Sequence, residues 1–288
     1  MTTSPLANPT ATRELLEEFG LATKHRLGQN FLIDNHVIER ICELAELAGD
    51  ERVLEVGPGC GTLTLALLQE AACVTSIEAD PELEPVLDAH AADYANFRFI
   101  MGDALKVGPE QIEQVAGGTP TVFVANLPYN VAATIILQFF QTMPALKRAV
   151  VMVQKEVAER FCSLPGTEGY GAITASINYY AKVKRLFTVK AGSFDPRPKV
   201  DSAVIRFDPY TTPPVSFRDK KTFFAVIRAA FIQRRKTLAN SLCACFPQLE
   251  KESACAVLQS CGLSPAVRGE QLGIADYARI ADHIFDIK

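Results

Sequence analysis

At 288 residues, with 48% hydrophobic and 22% charged side chains, the chain can build one main core and a smaller satellite domain and is too apolar to be disordered. It has no run of about 18 apolar residues, no basic-then-apolar export signal, and no Cys-x-x-Cys pair among its eight cysteines; a cytoplasmic protein without a membrane span or metal is expected. The net charge of −4 disfavours a polyanionic partner only until it is divided, because residues 182–240 hold fourteen Lys/Arg against four Asp, a local +10 set against −14 elsewhere.

Residues 1–20 open with Ser, Thr, Pro and Asn ahead of a short helical stretch and are predicted to form a flexible tail or a loosely docked helix. From Arg52 onward, short apolar runs alternate with segments of helical length: Arg52–Val56, Cys73–Ile77, Phe97–Met101, Thr121–Ala125 and Ala149–Val153. Strands buried on both faces read as such unbroken runs, so the pattern predicts an α/β fold with a Rossmann-like, doubly wound, mostly parallel sheet. Two later runs, Lys184–Lys190 and Ala203–Phe207, can close it with an antiparallel hairpin interrupted by Asp195-Pro-Arg-Pro198. The prolines between Asp208 and Pro214 mark a linker, and the pattern beyond is helical. The expected organisation is a main domain at 21–207 and a small all-helical domain at 212–288. Phe224, Ile227 and Phe231 form a helical stripe that, if extended, would bury Arg234 and Arg235. A break near Gln233 is therefore predicted, turning the Arg234-Arg235-Lys236 cluster outward.

Four strand ends carry groups matched to a nucleoside. Glu55-Val-Gly57-Pro-Gly59-Cys-Gly61 follows the first strand, where glycines let a ligand approach the backbone at the carboxyl edge of the sheet. A dinucleotide fingerprint needs its third glycine at position 62, which is Thr62, and this departure favours adenosylmethionine over NAD. Glu78, ending the second strand, can accept both ribose hydroxyls, and Asp103, after the third, can accept the adenine amine of that cofactor. Either acid alone could be an ordinary helix cap. Asn126-Leu-Pro-Tyr129 follows the fourth strand. The exocyclic amine of adenine is a weak nucleophile because its lone pair is delocalised into the ring. The Asn126 side-chain oxygen and the Leu127 carbonyl, its angle fixed by Pro128, can each accept one amine hydrogen, and both bonds strengthen as positive charge develops on nitrogen. Tyr129 offers a flat face for the extruded base.

With these motifs in place the chain resembles the KsgA-type small-subunit ribosomal RNA adenine dimethyltransferases, a class I methyltransferase family, over about 265 residues. The markers are Leu27-Gly-Gln-Asn-Phe-Leu32, Glu55-Val-Gly-Pro-Gly59, Asn126-Leu-Pro-Tyr-Asn130, Gln154-Lys-Glu156, Phe194-Asp-Pro-Arg-Pro-Lys-Val-Asp-Ser202 and Gln233-Arg-Arg-Lys-Thr237. The resemblance implies S-adenosyl-L-methionine as cofactor, contacted by Asn30, Leu32, Gly57, Gly59, Glu78, Asp103 and Asn126. It implies that Asn126 to Tyr129 and Phe194 hold the target base. The implied reaction is dimethylation of two adjacent adenines near the 3′ end of 16S RNA in the 30S subunit, late in assembly, by a monomer. The helical domain then reads as the RNA-docking module, with Arg228, Arg234, Arg235 and Lys236 on phosphates or, equally, as surface charges. Two alternatives remain: the large-subunit dimethyltransferase of the macrolide-resistance type, and a non-catalytic assembly or transcription factor on the same fold.

Overall fold

The computed structural model describes residues 2–21 and 30–287. The first part of the Leu27-to-Leu32 marker, up to position 29, lies outside the described residues.

The chain runs α1 (Pro9–Glu18), β1 (Phe31–Leu32), α2 (Asn35–Ala45), β2 (Arg52–Val56), α3 (Thr62–Leu67), β3 (Cys73–Glu78), α4 (Glu84–Asp93), β4 (Phe97–Met101), α5 (Pro109–Ala116), β5 (Val122–Asn126), α6 (Ala132–Thr142) and β6 (Arg148–Gln154). It continues through α7 (Lys155–Phe161), α8 (Ala172–Tyr180), β7 (Ala181–Val189), β8 (Phe194–Asp195) and β9 (Ser202–Pro209). The last helices are α9 (Lys220–Ile232), α10 (Leu238–Cys245), α11 (Lys251–Ser260) and α12 (Ile274–Phe285).

Seven strands form one sheet in the order β4-β3-β2-β5-β6-β9-β7. The first five are mutually parallel, and β9 runs antiparallel to β6 with Gln154 opposite Ser202. The order reverses between β2 and β5, and ligands of such sheets bind at the carboxyl ends of the strands flanking that reversal. Val53 and Leu54 of β2, Val122 to Ala125 of β5 and Ala149 to Val153 of β6 are all buried, which is why these segments read as unbroken apolar runs. A separate two-stranded ladder joins β1 to β8, with Leu32 opposite Phe194.

Two expectations about organisation are corrected. Residues 1–20 do not form a flexible tail: Leu6, Ala7 and Leu16 are buried in the main core, the Ser4 amide donates to Asn35 Oδ1 at 2.9 Å, and α1 is capped by the Asn8 side chain. Leu6 and Ala7 ahead of the helix and Leu16 within it dock the segment, so the docked alternative holds and not the tail. The domain border at 207 is also incomplete. One compact unit closes at Ala158 and resumes over Val183–Pro209, whereas Glu159–Lys182 joins the unit formed from Tyr210 onward. Within that second unit, Tyr170 and Ala175 pack in one core with Phe223, Ile227, Leu242, Leu258 and Tyr277, and the Tyr180 ring stacks on Phe224 at 5.7 Å. The apolar face of α8 is satisfied by helices that come later in the chain.

The break after the Phe224–Phe231 stripe is present: α9 ends at Ile232, and Gln233 has φ −129° and ψ 69°. Arg228, Arg235 and Lys236 are exposed. Arg234 is exposed too, but its guanidinium is held: it pairs with Glu270 at 3.1 Å and donates to the Glu168 and Tyr170 carbonyls at 3.0 and 3.4 Å.

Candidate active site

A cavity of about 340 Å³ opens at the carboxyl edge of the sheet. Its wall includes Asn30, Leu32, Gly57, Gly59, Glu78, Asp103, Asn126, Leu127, Pro128 and Tyr129. Residues spread over a hundred positions meet there because successive parallel strands all end at the same edge.

Backbone geometry shapes the floor. Gly57 has φ +69° and Gly59 φ +60°, left-handed conformations that resist a side chain, and a Cβ on Gly59 would lie 3.0 Å from the Phe31 ring. A Cβ on Gly57 would touch Pro128 Cδ at 3.6 Å, so the glycine loop and the Asn-Leu-Pro-Tyr turn are in van der Waals reach of each other. The Gly57 amide is fixed by the Ile77 carbonyl at 2.9 Å. Cys60 is fully buried with its thiol 3.3 Å from the Thr62 hydroxyl, and burial pushes that thiol up to about 11. The loop is braced from α4, where His90 Nε2 lies 2.9 Å from the Cys60 carbonyl.

Glu78 accepts backbone N–H bonds from Gly59 at 3.1 Å, Ala79 at 2.8 Å and Asp80 at 2.9 Å. Burial nevertheless raises its pKa, against those three bonds. Its carboxylate thus serves the backbone and the cavity together; the cap reading and the ligand reading of a strand-end acid are not exclusive. Asp103 does the same, accepting from the Leu105 amide at 3.0 Å with Lys106 Nζ 3.8 Å away.

At the end of β5, Asn126 Nδ2 donates to the Asn30 carbonyl at 3.4 Å. That bond occupies the donor half of the amide and leaves Oδ1 as the acceptor. The Leu127 amide donates to the Met152 carbonyl at 3.0 Å, anchoring the turn to β6, and the Pro128 carbonyl accepts from Ala132, starting α6. Tyr129 is half-buried, which raises its phenol pKa, and its hydroxyl lies 2.7 Å from Ser202 Oγ.

One expected base contact is not in the wall. Phe194 is 3% exposed, belongs to the main apolar core and is paired in its ladder with the wall residue Leu32. The wall also holds residues to which no role was assigned from sequence, among them Phe31, Asp80 and Glu55. Glu55 is the least expected. It sits fully buried inside β2, accepting from Ser76 Oγ at 2.6 Å and Thr64 Oγ1 at 2.7 Å, and burial pushes its carboxyl up to about 7. An acid inside an apolar strand was the available signal.

The wall contains four carboxyl residues, Glu55, Glu78, Asp80 and Asp103, and among the described residues no Lys, Arg or His. Such a lining repels a pyrophosphate and suits a ligand that is a nucleoside at one end and cationic at the other. Among the described residues no group of side chains could hold a metal ion, and no helix is long and apolar enough to cross a membrane.

Comparison with known proteins agrees with this chemistry. The family model described as "Ribosomal RNA adenine dimethylase" matches residues 20–285. The chain is 40% identical over 281 residues to a ribosomal RNA small subunit methyltransferase A of Geobacillus sp., covering 96% of this chain and 97% of the relative. It is 41% identical over 275 residues to the protein of the same name from Clostridium acetobutylicum, covering 95% and 98%. Among solved structures it resembles a dimethyladenosine transferase from Plasmodium falciparum, with TM-score 0.71, 26% identity and coverage of 86% and 94%. It also resembles the 23S rRNA methyltransferase ErmE, with TM-score 0.63, 26% identity and coverage of 89% and 100%.

Proposed function

This chain belongs to the ribosomal RNA adenine dimethylase family and is an S-adenosylmethionine-dependent methyltransferase; from that premise we propose that it dimethylates two adjacent adenines near the 3′ end of 16S RNA. The substrate is the small subunit late in its assembly, and the enzyme is a cytoplasmic monomer. The observation that carries the reading is the juxtaposition of an acid-lined nucleoside cavity with the Asn126-to-Tyr129 turn. The relatives at about 40% identity are named for the small subunit, whereas the likeness to the 23S enzyme is at 26%, which favours the small-subunit substrate over the large.

The cofactor would be held by Asn30, Leu32, Gly57, Gly59, Glu78, Asp103 and Asn126, residues whose acidity fits a cationic nucleoside. When bound, it supplies an electrophilic methyl group on sulfur. Asn126 Oδ1 and the Leu127 carbonyl accept the two amine hydrogens of the target adenine, drawing the nitrogen lone pair out of conjugation. These acceptors bind the developing cation more tightly than the neutral amine, so they lower the barrier and not merely the ground state. Tyr129 stacks on the extruded ring. The role needs no strong base, and among the described residues the wall offers no histidine or lysine.

The test is methyl transfer to small subunits purified in an under-methylated state, with mapping of the labelled nucleotide. Label on two neighbouring adenines of 16S RNA supports the reading, and label only in large-subunit RNA refutes it. Asn126→Ala is expected to slow transfer by roughly a hundredfold or more while leaving RNA affinity unchanged. Equal transfer by variant and wild type would exclude the amide oxygen from the chemistry and restore the non-catalytic alternative.

A further inference from the structure

Ser202 is absent from the cavity wall and belongs to no element of the glycine-loop side, yet it is bonded to the residue on which the target base rests. It is the first residue of β9 and is fully buried, with its hydroxyl 2.7 Å from the Tyr129 hydroxyl. The meeting depends on topology. β5 and β6 are parallel and finish at the site edge, so only an antiparallel neighbour can begin there; β9 pairs with β6 in that sense, with Ser202 opposite Gln154. The backbone on the preceding side is pinned as well: Asp201 accepts from the Ala191 amide at 3.1 Å and from Lys190 Nζ at 3.0 Å, and its carbonyl accepts from the Lys155 amide at 3.0 Å. Ser202 is therefore a fixed post, and Tyr129 is a side chain with two soft torsions that the post can hold.

A tyrosine used as a stacking face differs from a phenylalanine only in its hydroxyl. Stacking itself gains little from that group, so a hydroxyl committed to a buried serine acts on ring orientation. We propose that Ser202 is a positioning residue for methyl transfer: by bonding the Tyr129 hydroxyl it holds the ring in the plane that receives the target adenine. The inference rests on the reading of Tyr129 as the base platform. Orientation errors at a reacting centre cost rate steeply, so the bond belongs in turnover of the RNA substrate and not in capture of the cofactor.

The experiment measures methyl transfer to under-methylated small subunits by Ser202→Ala, Tyr129→Phe, the double variant and Tyr129→Ala, with cofactor affinity and thermal melting followed alongside. The expected result is a loss of about tenfold in kcat/KM for the RNA substrate in each single variant, equivalent to about 1.4 kcal/mol. Cofactor affinity stays unchanged, and the double variant is no slower than either single. Losses that multiply in the double variant, or a loss in Ser202→Ala that Tyr129→Phe does not share, would overturn the proposal, since the two changes remove one bond from opposite ends. If Ser202→Ala melts below the assay temperature, Tyr129→Phe still reads the bond, and its full activity would overturn the proposal. Tyr129→Ala separates the two levels. Unimpaired transfer by that variant defeats the platform reading itself, whereas a large loss there with wild-type rates in both conservative variants defeats only the role of Ser202.

Discussion

Glu55 links the site to the pH dependence of the whole molecule. Its carboxyl is raised from the ordinary 4.5 to about 7 by burial, so its protonated form is the one the fold prefers. A group raised in this way contributes its full stability below about pH 4.5, and that contribution fades as pH climbs through about 7. Above that value the charged form costs the fold about 3 kcal/mol, an order-of-magnitude figure for a shift of this size. Glu55→Gln keeps an oxygen for Ser76 and Thr64, so urea melts are expected to find it more stable than wild type at pH 8 and little different at pH 4. Gly59→Ala belongs to the same scale: a left-handed alanine costs about 1–2 kcal/mol, and the Phe31 ring must also give way, so calorimetry should find cofactor affinity reduced more than stability. That Gly57, Glu78, Asp103 and Asn126 to Tyr129 line one cavity was legible because each follows an apolar run at a strand end, where topology gathers residues whatever their spacing. The bond from Asn126 to the Asn30 carbonyl was not, because no local pattern marks a contact across 96 positions. The burial of Phe194 was not legible either, because a motif match carries a residue's identity and not its surroundings.

Between elements, the break after α9 sorts the basic cluster into different roles. Arg234 is tied to Glu270 and to two carbonyls of the segment that precedes α8, so it braces the second unit. Arg234→Ala should lower the melting temperature by roughly 2–4 °C and leave the salt dependence of RNA binding as it was; thermal melts and binding titrations read the two effects separately. The five parallel strands were legible to within a residue or so of their ends, since burial on both faces writes itself as uninterrupted hydrophobicity. The allegiance of α8 was not legible. Its buried Thr174, Ala175 and Ile177 announce a covered face, but periodicity says only that something covers it.

On the scale of the molecule, the local charge of +10 over residues 182–240 overstates what a phosphate backbone can meet. Lys184, Lys190, Arg206, Arg218 and Arg234 are all engaged with carboxylates. Arg228, Arg235 and Lys236 are exposed, and neutralising Arg235 or Lys236 is expected to flatten the slope of log affinity against log salt by roughly 0.7 to 0.9. An unaltered slope in filter-binding titrations would remove them from the interface. The second unit is assembled from two stretches separated by the last strands of the sheet. Vectorial synthesis therefore delivers Tyr170 and Ala175 well before Phe223, Leu258 or Tyr277 leave the exit tunnel. Until those partners emerge, the nascent polypeptide carries a half-built module with its apolar side bare, and chaperone capture should concentrate in that interval.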